Sequence, residues 1–220
     1  MNTTEILQKT EAFVRETLDG AEAGHDWSHI KRVVRNARLI SKGEDADDFI
    51  VEISALLHDI ADSKFHHGDE DLGPIKARTF LNGLNLPESG IEHIVKIIKY
   101  VSFKNELDLE QTESFKSNEL DVVKDADRLD AMGAIGIART FHYGGYKNRA
   151  IYDPETPPNL KLSKEEYKKS TAPTINHFYE KLLLLKDGMK TTTGRQIAEQ
   201  RHQFMEEFLE QFFSEWEGRV

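Results

Sequence analysis

Histidine and aspartate gather at three places in the sequence, GHDWSHIKRV (24–33), LLHDIAD (56–62) and KDADRLDAMGA (124–134). Each falls on or beside a segment with a pronounced apolar face. His58 and Asp59 follow Ala55, Leu56 and Leu57 at the end of a helix that must be buried. An unpaired charge there would cost several kcal/mol, and a divalent cation is an efficient partner. His29 precedes Ile30 near the start of another apolar helix, and Asp127 lies between Ala126 and Leu129. Two imidazoles and two carboxylates form a mixed nitrogen–oxygen donor set. Such a set suits Mn, Fe, Co, Ni or Zn, with Mg bound less tightly. Asp125 competes with Asp127 for the last position. On a helix the two point about 200° apart, so only one can face inward. The competing reading of all four groups is a buried hydrogen-bond network with no metal.

The elements that must position these groups are helical throughout. Ile6, Phe13, Val14 and Leu18 make a first apolar stripe. Asp26 reads as an N-cap, followed by Ile30, Val33, Val34, Ala37 and Ile40 at helical spacing. Phe49, Ile50, Ile53, Leu56, Leu57 and Ile60 mark a third helix. Pro74 suits a first turn ahead of Ile75, Phe80, Leu81 and Leu84, and Pro87 opens a helix with Ile91, Ile94, Val95 and Ile98. Residues 119–142 form a helical stretch bent near Gly133 and Gly136. Ile175, Phe178, Tyr179, Leu182 and Leu183 mark a late helix, and Ile197 to Trp216 the last. No alternating run of five residues and no hairpin signal is present. The expected class is all-α, a single domain over 1–220 with about eight helices. Two loops are expected, at 61–73 and 143–170. The second holds three of the six prolines and reads as a lid or flank over a site, because long connections inside a domain are usually functional. The Gly144–Gly145 pair is expected to end a helix and turn the chain.

The spacing H-x(28)-H-D-x(67)-D, carried by His29, His58, Asp59 and Asp127, resembles the HD-domain metal-dependent phosphohydrolase superfamily. So do the surrounding stretches HDWSHIKRV, ALLHDIAD and DADRLDAMGAIGIART, which look like the stand-alone bacterial branch of the YpgQ type. The likeness covers roughly residues 20–146, and the C-terminal helices continue it. It implies an all-α fold with a metal core at about 20–146 and C-terminal helices at 171–220. It implies one divalent metal, with Mn favoured, held by His29, His58, Asp59 and Asp127. The superfamily pattern thus favours Asp127 over Asp125. Asp62, three residues after the doublet, occupies the position of the carboxylate that orients the attacking water. It stands where some relatives carry Glu. No HHE triplet is present, and His93 is a candidate for a second metal.

The implied chemistry is hydrolysis at phosphorus, where a metal polarises a phosphoryl oxygen and acidifies water. Charge developing on the phosphoryl group then calls for cations. Lys64 and Lys104 are candidate phosphate clamps, and Lys147 and Arg149 on the long loop are candidates at the same mouth. His66 and His67 are candidate acids for the leaving group. Asp130, about 60° round the helix from Asp127, is a candidate for a ribose hydroxyl or a ligand histidine. The bland readings are solvated loop residues for the lysines and histidines, and an ion pair for Arg139. Phe208, Phe212, Phe213 and Trp216 read as core or dimer packing. The leading expectation is cleavage of a nucleoside triphosphate to monophosphate and pyrophosphate. The alternatives are a 5′-nucleotidase-type phosphomonoesterase and a nucleotide-sensing module without turnover.

Composition narrows the partners. Lys plus Arg is 29 and Asp plus Glu is 39, giving a formal net charge of −10. That disfavours nucleic acid and anionic membrane surfaces as partners and leaves a small phosphate compound. The 220 residues contain no cysteine, so thiolate metal sites, disulfides and cysteine catalysis are excluded. No apolar run reaches the roughly 18 residues of a membrane span, and the N-terminus lacks a signal-peptide pattern. The expected location is the cytoplasm, as a monomer or homodimer.

Overall fold

The computed structural model describes residues 2–20, 26–61, 71–101, 115–161, 166 and 170–219. Among the described residues there are α-helices and one 3-10 helix, and no strand, so the fold is all-α. The chain divides into two compact units. One comprises Met1–Asp127 with Lys190–Thr193, the other Arg128–Met189 with Gly194–Val220.

In the first unit three helices begin where short polar side chains take up orphaned N–H groups. Helix α1 (Thr3–Thr17) starts in a reciprocal box between Asn2 and Glu5. Helix α2 (Trp27–Ser41) is capped by Asp26, as its sequence predicts, and α3 (Asp48–Leu57) by Asp47, which accepts from the N–H groups of Phe49 and Ile50. Helix α4 (Leu72–Asn82) carries Pro74 in its first turn, and α5 (Glu88–Val101) follows Pro87. Helix α3 packs against α1, α2 and α5, and α4 packs against α5. Ile30, Val33, Ala37 and Ile40 of α2, Ile53 and Leu57 of α3, and Ile94 and Ile97 of α5 are fully enclosed. Each larger aliphatic side chain among them contributes about 1.5–3 kcal/mol by leaving water. Helix α6 (Asn118–Asp130) adds Leu120, Val122, Val123 and Ala126 to buried positions.

The second unit opens with the end of α6 and a break at Ala131–Met132 before α7 (Gly133–Tyr146). The break falls where the sequence expects a bend. Gly133 has φ +65, in the left-handed region that glycine enters without strain. A β-carbon at Gly136 would land on the Ala131 carbonyl, so the chain can reverse this tightly only with hydrogen there. The Gly144–Gly145 pair does not end α7. The helix continues to Tyr146, with Lys147 as its cap. Gly144 instead gives Thr174 the space in which to pack. Arginines bond carbonyls at the C-terminal end of α6, Arg201 that of Leu129 and Arg139 that of Asp130.

The late apolar run is not one α-helix. It divides into α8 (Asn176–Glu180) and a 3-10 helix (Leu182–Gly188), parted by Lys181 at φ −145. Leu182 and Leu185 are buried and Leu184 is exposed. A spacing of three matches the three-residue turn of a 3-10 helix, which presents both leucines on one line. Helix α9 (Thr192–Trp216) begins five residues before Ile197. Its Phe208 stacks on Phe178 at 5.8 Å, and Phe213 and Trp216 meet Tyr152 edge-on at 5.2 and 5.1 Å. The C-terminal aromatics thus build a local core, as expected of them.

His177 lies in α8 with its imidazole pushed down to about 3 by burial, helped by the charges of Lys181 and Arg149. Unfolding frees it to take a proton at its ordinary value of 6.5. The unfolded chain therefore binds one more proton between those values, and stability falls as pH drops from about 6.5 towards 3, by up to about 1.4 kcal/mol per pH unit. His177→Gln is expected to flatten the loss of melting temperature between pH 6.5 and 4 relative to the parent. Parallel pH–melting curves would refute this assignment.

Candidate metal centre

His29, His58 and Asp59 come from α2 and from the residues that end α3. Asp26 positions the first of them twice over: it starts α2, and its Oδ1 accepts the backbone N–H of His29 itself at 2.9 Å. The imidazole of His29 is buried. His58 caps the C-terminal end of α3, where carbonyls lack intrahelical partners. Its Nδ1 donates to the Ala55 carbonyl at 2.8 Å. That bond places the proton on Nδ1 and leaves the Nε2 lone pair for the site, the arrangement in which a metal-binding histidine is oriented by a carbonyl.

One donor atom from each of His29, His58 and Asp59 lies within 4.8 Å of the others. The two imidazoles meet edge to face with centroids 5.3 Å apart. Asp127 on α6 completes the picture: its Oδ1 stands 3.4 Å from His29 Nε2 and 3.9 Å from His58 Nε2. Two donors bound to one first-row ion at about 2.1 Å are separated by no more than about 4.2 Å. The donor types, the tautomer of His58 and the two Asp127 separations suit a divalent ion. Nearly half of the Asp127 carboxylate surface is open to solvent, whereas both imidazoles are enclosed. The site is thus dry on its histidine side and accessible on its carboxylate side.

The two carboxylates of α6 touch different groups. Asp125 faces inward, fully buried. It accepts the N–H groups of Lys190 and Thr191 at 3.0 and 2.8 Å and the Thr191 hydroxyl at 2.7 Å. Asp125 is therefore a clamp on residues 190–191, a role no local pattern announces. Asn36, another buried polar residue of α2, donates from Nδ2 to the Ala126 carbonyl at 3.1 Å.

The family now follows. The HD domain family model matches residues 26–132. The protein YpgQ of Bacillus subtilis is 35% identical over 204 residues, covering 93% of this chain and 90% of that protein. The chain belongs to the HD-domain family. An HD-superfamily hydrolase of Bacillus thuringiensis, known from a crystal structure, is 42% identical, with a TM-score of 0.79 over 99% of this chain and 100% of that one. The crystal structure of YpgQ in complex with ADP gives 32% identity and a TM-score of 0.75 over 98% and 97% of the two chains. The HD residues His29, His58 and Asp59 are the group that can hold a metal ion.

The other expected site residues have different fates. Asp62, Lys64, His66, His67 and Lys104 lie outside the described residues. Asp130 is buried, and its carboxylate Oδ2 stands 2.5 Å from Arg139 Nη1. Its partner in the structure is thus a guanidinium, the bland reading given above for Arg139. Lys147 is exposed, with Nζ 4.6 Å from the centre of the Tyr146 ring and 5.6 Å from that of Tyr143. Arg149 lies over Tyr143 and bonds the Ser170 carbonyl. His93 faces Glu119 at 3.1 Å. Burial works to raise the Glu119 carboxyl, but bonds led by the Asp47 N–H, together with His93, hold it below the ordinary range. Among the described residues His93 joins no second cluster of metal-type donors.

The two aspartates of α6 predict opposite phenotypes. Asp125→Ala orphans two N–H groups and a hydroxyl, and is expected to cost about 2–4 kcal/mol of stability in chelator. Asp127→Ala is expected to leave the melting temperature in chelator within about 1 kcal/mol of the parent while weakening the binding of Mn2+. Melting curves with and without metal, paired with Mn2+ titration, check both. A metal defect in Asp125→Ala larger than in Asp127→Ala would reverse the assignment.

Proposed function

We propose that this chain is a divalent-metal-dependent phosphohydrolase whose substrates are nucleotides, releasing pyrophosphate from nucleoside triphosphates. The observation that carries the reading is the convergence of His29, His58 and Asp59 donor atoms within 4.8 Å, with Asp127 beside both imidazoles. Membership of the HD-domain family and the ADP complex of YpgQ support hydrolysis and a nucleotide ligand. Manganese is the favoured metal, since a nitrogen–oxygen set without thiolate accommodates it.

Each residue is given a part. His29, His58, Asp59 and Asp127 hold the ion. When bound, it supplies Lewis acidity to a phosphoryl oxygen and lowers the pKa of water. His58 keeps its Nδ1 proton on the Ala55 carbonyl, so its free nitrogen stays turned to the site through the reaction. The accessible carboxylate side, at Asp127, is where the substrate enters. Asp62 is assigned to orient the attacking water, Lys64 and Lys104 to neutralise phosphate charge, and His66 or His67 to protonate the leaving group. Asp130 and Lys147 are not given catalytic parts, since Arg139 engages the first and aromatic rings the second. The protein acts on a small molecule, without nucleic acid, and its proposed location is the cytoplasm. Among the described residues no helix is long and apolar enough to cross a membrane.

The test is a nucleotide panel with Mn, Mg, Co and Ni in which phosphate and pyrophosphate are quantified separately. Pyrophosphate from triphosphates is expected, abolished by chelation and reduced at least about a thousandfold in His58→Ala and Asp59→Ala. Phosphate from monophosphates would move the assignment to a phosphomonoesterase. Nucleotide-induced stabilisation with no turnover under any metal would move it to a sensor.

A further inference from the structure

We infer that Asn36 is a positioning residue for the metal centre, holding α6 against α2 so that Asp127 stays beside His29. The inference rests on the reading of His29, His58, Asp59 and Asp127 as metal-binding. His29 and Asn36 both lie on α2, seven residues apart, which puts them about 20° apart around the helix and about 10 Å apart along it. Both belong to the buried stripe that otherwise consists of Ile30, Val33, Val34, Ala37, Ile40 and Ser41. The two polar members of that stripe with partners on α6 reach adjacent residues there. His29 Nε2 faces Asp127 Oδ1 at 3.4 Å, and Asn36 Nδ2 donates to the carbonyl of Ala126 at 3.1 Å.

A buried amide is costly to retain, because an aliphatic residue of like volume would pack there without desolvation. Its value is directional. Apolar packing between helices tolerates a small rotation or slide, whereas a hydrogen bond to one particular carbonyl does not. A buried Asn fixing helix register is the best attested use of such a residue. Asp127 is carried by the helix whose Ala126 carbonyl Asn36 holds. His29 is tied through its own backbone to Asp26, and His58 through its ring to Ala55. The Asp127 carboxylate is the half-exposed member of the set. Its position is fixed by the axis and rotation of α6, to which Asn36 contributes at the preceding peptide.

The experiment is a titration of chelator-stripped protein with Mn2+ and Co2+, together with the visible spectrum of the Co2+ form. Asn36→Leu removes the donor at nearly equal volume, and Asn36→Ala removes it without overpacking. Leu81→Ala, at a buried position of α4, a helix that carries no donor residue, is the control for general destabilisation. Both Asn36 variants are expected to bind Mn2+ about 10–100-fold more weakly than the parent, and to shift the Co2+ spectrum, at a temperature where all are folded. Leu81→Ala is expected to do neither. If the Asn36 variants bind and absorb like Leu81→Ala, Asn36 is structural only and the inference fails. His58→Ala is measured alongside. Unchanged binding in that variant would overturn the metal reading itself, while lost binding there with parental binding in the Asn36 variants would overturn the role of Asn36 alone.

Discussion

A carboxylate oxygen stands within 4 Å of two imidazole nitrogens, although they come from residues 29, 58 and 127. Each group carries or can acquire charge, and both imidazoles are enclosed in apolar helix packing. Such a convergence must be held by something other than its own attraction, since desolvation removes most of what the Coulomb term supplies. The scaffold meets the requirement by restraining each donor separately. Asp26 holds the His29 backbone, the Ala55 carbonyl holds the His58 ring, and α6 carries Asp127.

Helix α6 receives side-chain attachments along its length. Within the first unit, Asp125 takes the N–H groups of residues 190 and 191, and Asn36 takes the Ala126 carbonyl. At its C-terminal end, within the second unit, Arg139 and Arg201 bond the carbonyls of Asp130 and Leu129. Helix ends bring orphaned carbonyls and a partial negative charge, and guanidinium groups answer both. Burial drives the Arg201 guanidinium below its ordinary value and nearby Asp130 opposes that, so the two buried charges are mutually dependent. The Leu129 carbonyl also accepts the Met132 N–H at 3.1 Å, so Arg201 shares it with the turn that ends α6.

The second unit is built differently. It carries an aromatic cluster beside its aliphatic core, with Phe141, Phe178, Phe208 and Phe212 in contact, and Tyr152 meeting Phe213 and Trp216 edge-on. Aromatic rings bury more area per residue than aliphatic ones. Around Tyr143 and Tyr146 the rings lie on the surface instead, covered by the cations of Lys147 and Arg149. Cations in that arrangement are retained by the ring faces and need no anion to account for their position.

The sequence by itself determined the all-α class, most of the helices and the Asp26 cap, and it singled out the candidate donors. Helical period and an N-cap such as Asp26 act over three or four residues, so they are legible without knowledge of the fold. The three His/Asp clusters were legible for a similar reason: imidazole and carboxylate set into apolar stripes violate the local pattern and call for a partner. What only the tertiary structure decided acts over longer spans. Nothing local distinguishes the clamp Asp125 from Asp127 beside the imidazoles, because the difference lies in partners 65 and 66 residues away from the first. The amide of Asn36 meets a carbonyl 90 residues on, and its own neighbours give no sign of that. The 3-10 turn at Leu182 and Leu185 and the passage of α7 through Gly144 were likewise set by what the chain packs against, the latter by the room that Thr174 requires. Hydrogen-bond partners and packing space belong to the folded assembly of helices, and local propensity encodes neither.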